Sequence, residues 1–245
     1  MIKIGIVGIG GMGMVHYNNY LNIDGCKVVA AVFNSESSKE KIKELGLKAY
    51  DSIESMVKYE DIDVIDICTP TYLHKKQVIE SLNHGKDVIV EKPIALHKVD
   101  AEEMFELASR QGKLLFVGQV VQFTRETEIL RKIIQKKEYG EPLDGYFKRM
   151  AGRPKWVKDG WMFDREKSGV VPFDLHVHDL DLIISLFGKP KSFNFISSGR
   201  KDIEYKELYR INYKFENLDI TAEAAWFNGN YPFSVGWRIY FEKGV

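Results

Sequence analysis

The chain has 245 residues, of which 44% are hydrophobic and 12% are aromatic. This apolar content excludes a disordered chain and is enough for one large domain or two smaller ones. The 35 basic side chains are balanced by 35 acidic ones, which argues against a general nucleic-acid binder because such a protein needs a net basic face.

The two cysteines, Cys26 and Cys68, make neither a disulfide framework nor a zinc site, so we expect a reduced, cytoplasmic protein without a metal. The apolar start of the chain is interrupted by glycines, and no apolar stretch is long enough to span a membrane. We therefore expect neither a signal peptide nor a membrane partner.

Residues 1–120 alternate between short apolar runs, typical of buried strands, and longer segments with helical spacing. The predicted strands are Ile2–Val7, Val28–Phe33, Val64–Ile67, Asp87–Val90 and Leu114–Val117. The predicted helices are Met12–Leu21, Ser37–Leu45, Leu73–Asn83 and Lys98–Arg110. This alternation predicts an α/β domain with a doubly wound parallel sheet of the Rossmann type.

A glycine-rich turn follows the first strand and satisfies the pattern G-x-G-x-x-G. Gly8 allows the tight turn, Gly10 lets a pyrophosphate approach the backbone, and Gly13 lets the helix pack on the strand. The backbone amides of Gly11 and Met12, at the helix N-terminus, suit an anion. The pattern in this strand–helix context predicts binding of NAD or NADP.

The second strand ends at Asn34, where NAD-binding domains often carry an acidic residue that holds the ribose hydroxyl. Asn34 can bond a hydroxyl without repelling a phosphate, and Ser35 and Lys39 can attract one. The same residues also fit a simple helix N-cap. The choice between NAD and NADP stays open, with a lean towards tolerance of NADP.

Two further loops follow the carboxyl ends of predicted parallel strands, the edge where ligands bind in such sheets. The first contains Thr69, Pro70 and His74, and the second contains Glu91 and Lys92. Lys92 at this edge can polarise a substrate oxygen, although most lysines simply face solvent.

Residues 121–245 have a different pattern and predict an α+β domain with a mainly antiparallel sheet. The predicted elements are a helix at Glu126–Lys137, a long loop at Gly152–Gly169, a helix at Leu175–Phe187, and strands at Ser192–Ser197, Tyr205–Phe215, Ile220–Phe227 and Ser234–Phe241.

The helix predicted at Leu175–Phe187 is apolar around most of its circumference. At about 100° per residue, Asp174, His178, Asp181 and Ser185 fall on one stripe, which needs protein or substrate partners. His176 points the other way, and we expect it to be structural, paired with a carboxylate. A His-x-His metal strand like that of amidohydrolases is the rival interpretation, but no histidine follows His178 to complete the ligand set.

These motifs resemble the glucose–fructose oxidoreductase / inositol dehydrogenase / MocA (Gfo/Idh/MocA) family of NAD(P)-dependent oxidoreductases. The resemblance covers nearly the whole chain and is carried by Gly8–Gly13, Thr69-Pro70 with His74, Glu91-Lys92-Pro93, and Gly169–Asp181. It implies a dehydrogenase or reductase that transfers a hydride between the nicotinamide and a sugar, cyclitol or related polyhydroxy compound.

The resemblance also implies roles for individual residues. Lys92, Asp174 and His178 would surround the reacting oxygen, and either Lys92 or His178 would accept its proton. Thr69, Pro70, His74 and Glu91 would help to form the nicotinamide pocket. Gln119 stands where relatives often carry a basic residue, and Trp161 can line the pocket, so both are candidate substrate contacts.

Other expectations also come from the resemblance. Relatives generally continue through further strands, so we expect the second domain, residues 121–245, to be incomplete at its C-terminus. We expect a homo-oligomer, a dimer or a tetramer. The alternative function is that of a non-catalytic NAD(P)-binding sensor or regulatory protein of the same fold.

Overall fold

A computed structural model describes residues 1–157 and 159–245. Position 158, within the predicted loop Gly152–Gly169, lies outside the described residues. The chain divides into two compact units, Met1–Gly118 and Gln119–Val245, so the division falls just before the predicted boundary at residue 120. None of the helices in the described part of the chain is both long and apolar enough to cross a membrane.

The first unit is built on a parallel sheet of six strands in the order β3-β2-β1-β4-β5-β6. The strands are β1 (Ile2–Val7), β2 (Cys26–Val32), β3 (Lys48–Tyr50), β4 (Val64–Ile67), β5 (Asp87–Val90) and β6 (Leu115–Val117). The strand order reverses between β1 and β4, and ligands of open α/β sheets bind at such a reversal. The predicted Rossmann sheet is confirmed.

Five helices connect these strands: α1 (Gly11–Tyr20), α2 (Glu36–Glu44), α3 (Ile53–Tyr59), α4 (His74–Asn83) and α5 (Lys98–Arg110). Buried aliphatic side chains form one cluster around Ile65 and another around Ile6. The sequence analysis missed β3 and α3 because three residues and seven residues are too short for a clear periodic pattern.

The second unit contains a five-stranded sheet in the order β11-β7-β10-β9-β8. The strands are β7 (Pro142–Gly152), β8 (Ser192–Ser198), β9 (Leu208–Lys214), β10 (Asp219–Phe227) and β11 (Ser234–Phe241). All neighbours are antiparallel except β7 and β10, which are parallel. The sheet is therefore mixed but mostly antiparallel, as predicted.

The longest strand of the chain, β7, was not predicted. Gly145 interrupts its middle, and the consecutive cations Lys148 and Arg149 hide the alternation of buried and exposed positions. Arg149 is only 5% exposed because it pairs with Asp179 inside the unit, an arrangement that hydropathy does not reveal.

Three α-helices accompany this sheet: α6 (Arg125–Lys136), α7 (Arg165–Ser168) and α8 (Val177–Phe187). The helix predicted from Leu175 begins as α helix only at Val177, because Val171–His176 forms a π-helical turn. The assumption of about 100° per residue fails across this turn, since a π helix winds more slowly.

Candidate functional site

The glycine turn after β1 has the shape that a dinucleotide phosphate needs. Gly8 has a φ of +93°, and a Cβ on Gly13 would lie 2.0 Å from the carbonyl oxygen of Gly8, so neither position accepts a side chain. A Cβ on Gly10 or Gly11 would meet nothing within 4 Å. The turn is therefore tight where it contacts the protein and open above Gly10 and Gly11.

The N-terminus of α1 faces this open space without competition from the protein. Gly10 is the N-cap and supplies no side-chain hydrogen bond, and the first turn contains no acidic residue. Amide donors and the helix dipole are thus available to an anion. These residues fit the diphosphate of NAD or NADP, and the exposed side chain of Met12 lies beside them.

The end of β2 provides hydroxyl and amide groups, most of them already engaged in a helix cap. The Ser35 side chain accepts a hydrogen bond from the backbone N–H of Ser38 and forms a capping box that starts α2. Ser38 donates to Oδ1 of Asn34 at 3.3 Å. Lys39 pairs with Glu36 at 2.9 Å, which weakens the case that Lys39 is reserved for a phosphate. The helix-cap interpretation accounts for Ser35, whereas the exposed Asn34 keeps its amide group available.

The Thr69–Pro70 loop is joined to the loop after β5 by His74. The ring of His74 is buried, with Nε2 2.9 Å from the carbonyl oxygen of Thr69 and Nδ1 2.9 Å from that of Pro93. Burial lowers the pKa of His74 below its ordinary value, so at neutral pH the neutral ring donates to one of these two oxygens. His74 therefore contacts the backbone of both the Thr69–Pro70 loop and the loop after β5.

A partly buried histidine also joins the glycine-turn helix to the lysine loop. His16, on α1, places Nδ1 2.8 Å from Oδ2 of Asp66 and Nε2 3.0 Å from Oε1 of Glu91. The second carboxylate oxygen of Glu91, Oε2, accepts a hydrogen bond from the backbone N–H of Lys92 at 3.1 Å. We call His16, Asp66 and Glu91 the imidazole clamp.

Charge explains why the clamp is stable in a buried place. Hydrogen bonds to Asp66, Cys68 and Glu91 raise the pKa of His16 to about 12, so the ring is an imidazolium at neutral pH and donates from both nitrogens. The hydroxyl of Tyr20 also donates to Asp66, at 2.8 Å. Burial raises the pKa of Cys68 to about 12, which keeps its thiol protonated.

The sequence analysis missed His16 and Asp66. A signal was present, because a polar residue on the inner face of the glycine-turn helix requires a partner, and Asp66 interrupts an otherwise apolar strand. What the sequence could not give is the pairing, since His16 lies 50 residues from Asp66 and 75 residues from Glu91.

In the described residues, His16, Asp66 and Cys68 form a grouping whose ligand atoms lie within 4.8 Å of one another, as a metal site would require. A proton already links the imidazolium to the carboxylates, and a metal would have to displace it. The prediction that no metal is bound stays a prediction.

The polar helix of the second unit begins from a strained backbone. Val170 has a φ of +51°, a conformation that β-branched residues rarely adopt, and it directly precedes the π-helical turn. The Val170 N–H donates to the hydroxyl of Ser168 at 2.8 Å. Such strain and π turns concentrate at functional sites, and this one carries Asp174, with His178 in the first turn of α8.

His176 is structural, but its partner differs from the predicted carboxylate. Its Nε2 lies 2.7 Å from the hydroxyl oxygen of Tyr213, and the side chain is 2% exposed. Burial, with a smaller contribution from the positive charge of Arg149, lowers the pKa of His176 to about 4.

The lower part of the predicted polar stripe is satisfied by protein. Asp181 accepts a hydrogen bond from Nε2 of Gln122 at 2.6 Å, and the Ser185 hydroxyl donates to Oε1 of the same Gln122 at 2.8 Å. Asp181 and Ser185 therefore hold Gln122, and Asp174 and His178 stay the predicted substrate contacts of the stripe.

The two predicted substrate contacts lie in different surroundings. Oε1 of Gln119 is buried and accepts no hydrogen bond from any residue in 1–157 or 159–245, as suits a group that awaits a ligand donor. Trp161 begins a short 3-10 turn and packs partly buried beside the cluster formed by Met162, Leu175 and Trp226. Its packing role is thus evident.

Two family models match this chain. Residues 2–119 match the oxidoreductase family described as GFO_IDH_MocA with an NAD-binding Rossmann fold, and residues 127–245 match the GFO/IDH/MocA C-terminal domain. Together the two matches cover nearly all of the chain.

Characterised relatives differ in chemistry. The chain is 29% identical over 189 residues to a 2,7-anhydro-N-acetylneuraminate hydratase of Escherichia coli (strain K12), covering 77% of this chain and 50% of the relative. It is 26% identical over 190 residues to a myo-inositol 2-dehydrogenase of Thermotoga maritima, covering 77% and 55%. The chain thus spans about half the length of these curated relatives.

A solved structure extends the comparison to almost the whole fold. An NAD-binding protein from Listeria innocua superposes with a TM-score of 0.87 at 25% identity, covering 98% of this chain and 71% of that protein.

Proposed function

This chain belongs to the Gfo/Idh/MocA oxidoreductase family, and from that premise we propose that it is an NAD(P)-dependent dehydrogenase or reductase. In this proposal it transfers a hydride between the nicotinamide and a carbon of a sugar, cyclitol or related polyhydroxy or carbonyl compound. The myo-inositol 2-dehydrogenase among its relatives supports this substrate class.

The observation that carries the proposal is the glycine turn with its open cradle. Gly10 and Gly11 leave room for a diphosphate, and the uncapped start of α1 supplies donors for it. Asn34 would bond the adenine ribose, while Thr69 and Pro70 would border the nicotinamide.

Lys92, Asp174 and His178 are the catalytic residues in our proposal. The nicotinamide ring, when bound, supplies the hydride acceptor or donor. In the oxidation direction His178 takes the proton of the substrate hydroxyl, Asp174 stabilises the resulting imidazolium, and Lys92 polarises the oxygen as it becomes a carbonyl oxygen. The reverse direction returns the same proton to the carbonyl oxygen.

The support for Lys92 is local. Its backbone N–H is bonded to Glu91, which the imidazole clamp holds in place, so the root of the lysine side chain is fixed within the first unit. The grouping of Lys92 with Asp174 and His178 rests on the family motif and is the part of the proposal that mutagenesis must test.

The first test is binding of NADH and NADPH, measured by nicotinamide fluorescence. The second is turnover of a panel of polyols and sugars, measured by the absorbance of the reduced nicotinamide. We expect binding and turnover, with turnover lost in Lys92→Ala and His178→Asn and cofactor binding retained in His178→Asn. Binding of neither cofactor would sink the proposal. Cofactor binding without turnover on any substrate would favour the sensor alternative.

We also propose a cytoplasmic homo-oligomer, a dimer or tetramer, that binds neither nucleic acid nor membranes. The two thiols of Cys26 and Cys68 are free, in keeping with a reducing compartment. Phe193 and Phe195 on β8 are 64% and 56% exposed, and a partner subunit would cover such apolar surface. Light scattering on the purified protein measures the oligomeric state.

A further inference from the structure

An arginine at the end of β7 has no carboxylate partner among the described residues. Nε of Arg153 donates a hydrogen bond to the hydroxyl of Tyr205 at 2.8 Å, and its guanidinium carbon lies 3.8 Å from the centroid of the Phe163 ring. These contacts use one nitrogen and one face of the guanidinium. The two terminal nitrogens stay available for a ligand.

The guanidinium is held by a rigid aromatic support. Phe163 stacks on Tyr205 at 5.9 Å and meets the edge of Trp226 at 5.9 Å. Tyr205 and Trp226 are 7% and 1% exposed, so this support belongs to the core of the unit. The backbone N–H of Arg153 also donates to the carbonyl oxygen of Phe227 at 2.8 Å. An arginine fixed in this way loses little freedom when it binds an anion.

Arg153 lines a cavity of about 360 Å³. Besides Arg153, this cavity is lined by Lys155, Val157, Phe163, Asn228 and Gly229. None of the described lining residues is acidic, and two of them, Arg153 and Lys155, are cations. The volume falls in the range of small-molecule sites.

A close backbone approach shapes the cavity. A Cβ on Gly152 would lie 2.7 Å from the carbonyl oxygen of Gly229, so this glycine lets the strand end meet the loop after β10. The Gly152 N–H donates to Tyr231 at 3.0 Å and seals the contact. The wall of the cavity is thus formed where the end of β7 is hydrogen-bonded to the loop after β10.

We propose that this cavity, the Arg153 pocket, binds the carboxylate or phosphate group of the substrate, so that the substrate is an acidic sugar. Guanidinium groups bind planar and tetrahedral oxyanions through paired hydrogen bonds, which a lysine alone cannot provide. This inference rests on the proposed function and narrows its substrate class.

The pocket and the proposed catalytic turn share one support. Val171 and Leu175, which flank Asp174 in the π-helical turn, pack in the same apolar cluster as Tyr205 and Trp226. An anion bound at Arg153 would therefore be held by the same apolar cluster that supports the turn carrying Asp174.

The test measures binding by calorimetry to the full chain without cofactor, using D-glucuronate, D-glucose 6-phosphate and neutral D-glucose as probes. We expect at least one acid to bind more tightly than glucose and to lose about tenfold or more in affinity in Arg153→Gln. The matched control is Arg238→Gln, because Arg238 also lies over an aromatic ring, Tyr146, but outside the pocket. The control should bind the acids as the wild type does.

Equal binding of the acids and glucose to the wild type, or unchanged acid binding in Arg153→Gln, would overturn the proposal. Preference for one acid over the other identifies the anion as carboxylate or phosphate. If Arg153→Gln does not unfold cooperatively, Lys155→Gln replaces it because Lys155 is exposed. Lys155 contributes charge without paired hydrogen bonds, so a smaller loss of acid affinity, about threefold or more, is expected, and no loss would overturn the proposal.

NADH titration of the same proteins separates this proposal from the proposed function. Arg153→Gln should bind NADH as the wild type does. Acid binding that depends on Arg153 in a chain that binds no nicotinamide cofactor would support the pocket and overturn the oxidoreductase proposal. Cofactor binding and turnover of neutral sugars, without a preference for acids, would support the oxidoreductase proposal and overturn the pocket.

Discussion

Nε2 of His16 lies 3.0 Å from Oε1 of Glu91, although 75 residues separate them in the chain. This contact ties the helix that begins at the glycine turn to the loop that carries Lys92. Two parts of the proposed site, one for the diphosphate and one for the reacting oxygen, are therefore fixed to each other within a single unit.

Replacing His16 should impair catalysis more than cofactor binding. The amide of His16→Gln is neutral and carries both N–H donors on one nitrogen, so it cannot reproduce the two charged contacts of the ring. Glu91 then loses its charged partner, and the backbone of Lys92 is held less firmly. We expect kcat to fall by about 100-fold, as small misplacements of a catalytic group do, while the Kd for NADH changes little. Steady-state kinetics and fluorescence titration measure the two quantities.

His84→Asn is the control for this prediction, because His84 is exposed at the end of α4 and makes no part of the site. Its kcat should equal that of the wild type. A His16→Gln enzyme with a normal kcat and a normal pH profile would show that the clamp does not position Lys92.

The buried His176 should make the protein less stable in mild acid. Its pKa is about 4 in the folded state and near 6.5 when unfolded, so below pH 6.5 the unfolded chain binds the extra proton. The stabilisation is fully present above pH 6.5 and is lost as the pH falls towards 4, by about 3 kcal/mol in total. Urea unfolding of wild type and His176→Gln at pH 7 and pH 5 tests this.

The wild type should lose more of its free energy of unfolding between those pH values than His176→Gln does. Parallel losses in the two proteins would mean that His176 titrates normally in the fold.

Substitutions in the glycine turn should have different effects: one should weaken cofactor binding and the other should reduce stability. Gly10→Ala adds a methyl group in open space, so the protein should keep its stability and bind NADH about tenfold or more weakly, because the methyl group occupies the diphosphate position. Gly13→Ala forces a Cβ to within 2.0 Å of the Gly8 carbonyl oxygen and should unfold or distort the first unit. Thermal unfolding and NADH titration distinguish these effects, and equal stability loss in both variants would contradict them.

Asn34 should set the preference between the two cofactors. A carboxylate in its place accepts a hydrogen bond from the ribose hydroxyl of NADH and repels the phosphate of NADPH. We expect Asn34→Asp to shift the ratio of the two affinities towards NADH by about tenfold or more. Ser37→Asp, at the second residue of α2, is the control for a general charge effect, and an equal shift there would remove the special role of Asn34.

The strained Val170 should tolerate glycine better than its neighbour does. Val170→Gly loses buried apolar surface but relieves a positive φ, and the two effects nearly offset at about 1–3 kcal/mol each. Val171→Gly loses comparable burial without any relief. Chemical unfolding should therefore show a clearly smaller loss for Val170→Gly, and equal losses would mean that the strain is not stored there.

The sequence predicted the structure best at positions where only one residue type fits for a single physical reason. Gly8 and Gly13 have such reasons, a positive φ and a close backbone approach, and the structure confirms both. Parallel strands were predictable because β-branched runs recur between helical segments. Spacing alone offered Asp174 and His178 as two of four residues on one stripe, and the family resemblance singled them out together with Lys92.

What sequence reasoning lacked was the pairing of distant polar groups. The partners of His16 and Gln122 come from segments about fifty or more residues away, and their identity depends on strand order. The π-helical turn that follows Val170 was equally hidden, because a single turn leaves no periodic pattern in the sequence. Ser35 and Lys39 are expected to suit a phosphate, and the sequence left open whether Ser35 also caps α2 and did not show that Lys39 pairs with Glu36.

The position of β7 has a consequence for how the protein is made. β7 is the first strand of its sheet to leave the ribosome, but both of its neighbours, β10 and β11, are among the last. The contact between Tyr146 and Glu223 spans 77 residues. During translation the first unit can close its sheet early, whereas β7 must wait with two unpaired edges, and we expect it to be the segment that chaperones protect.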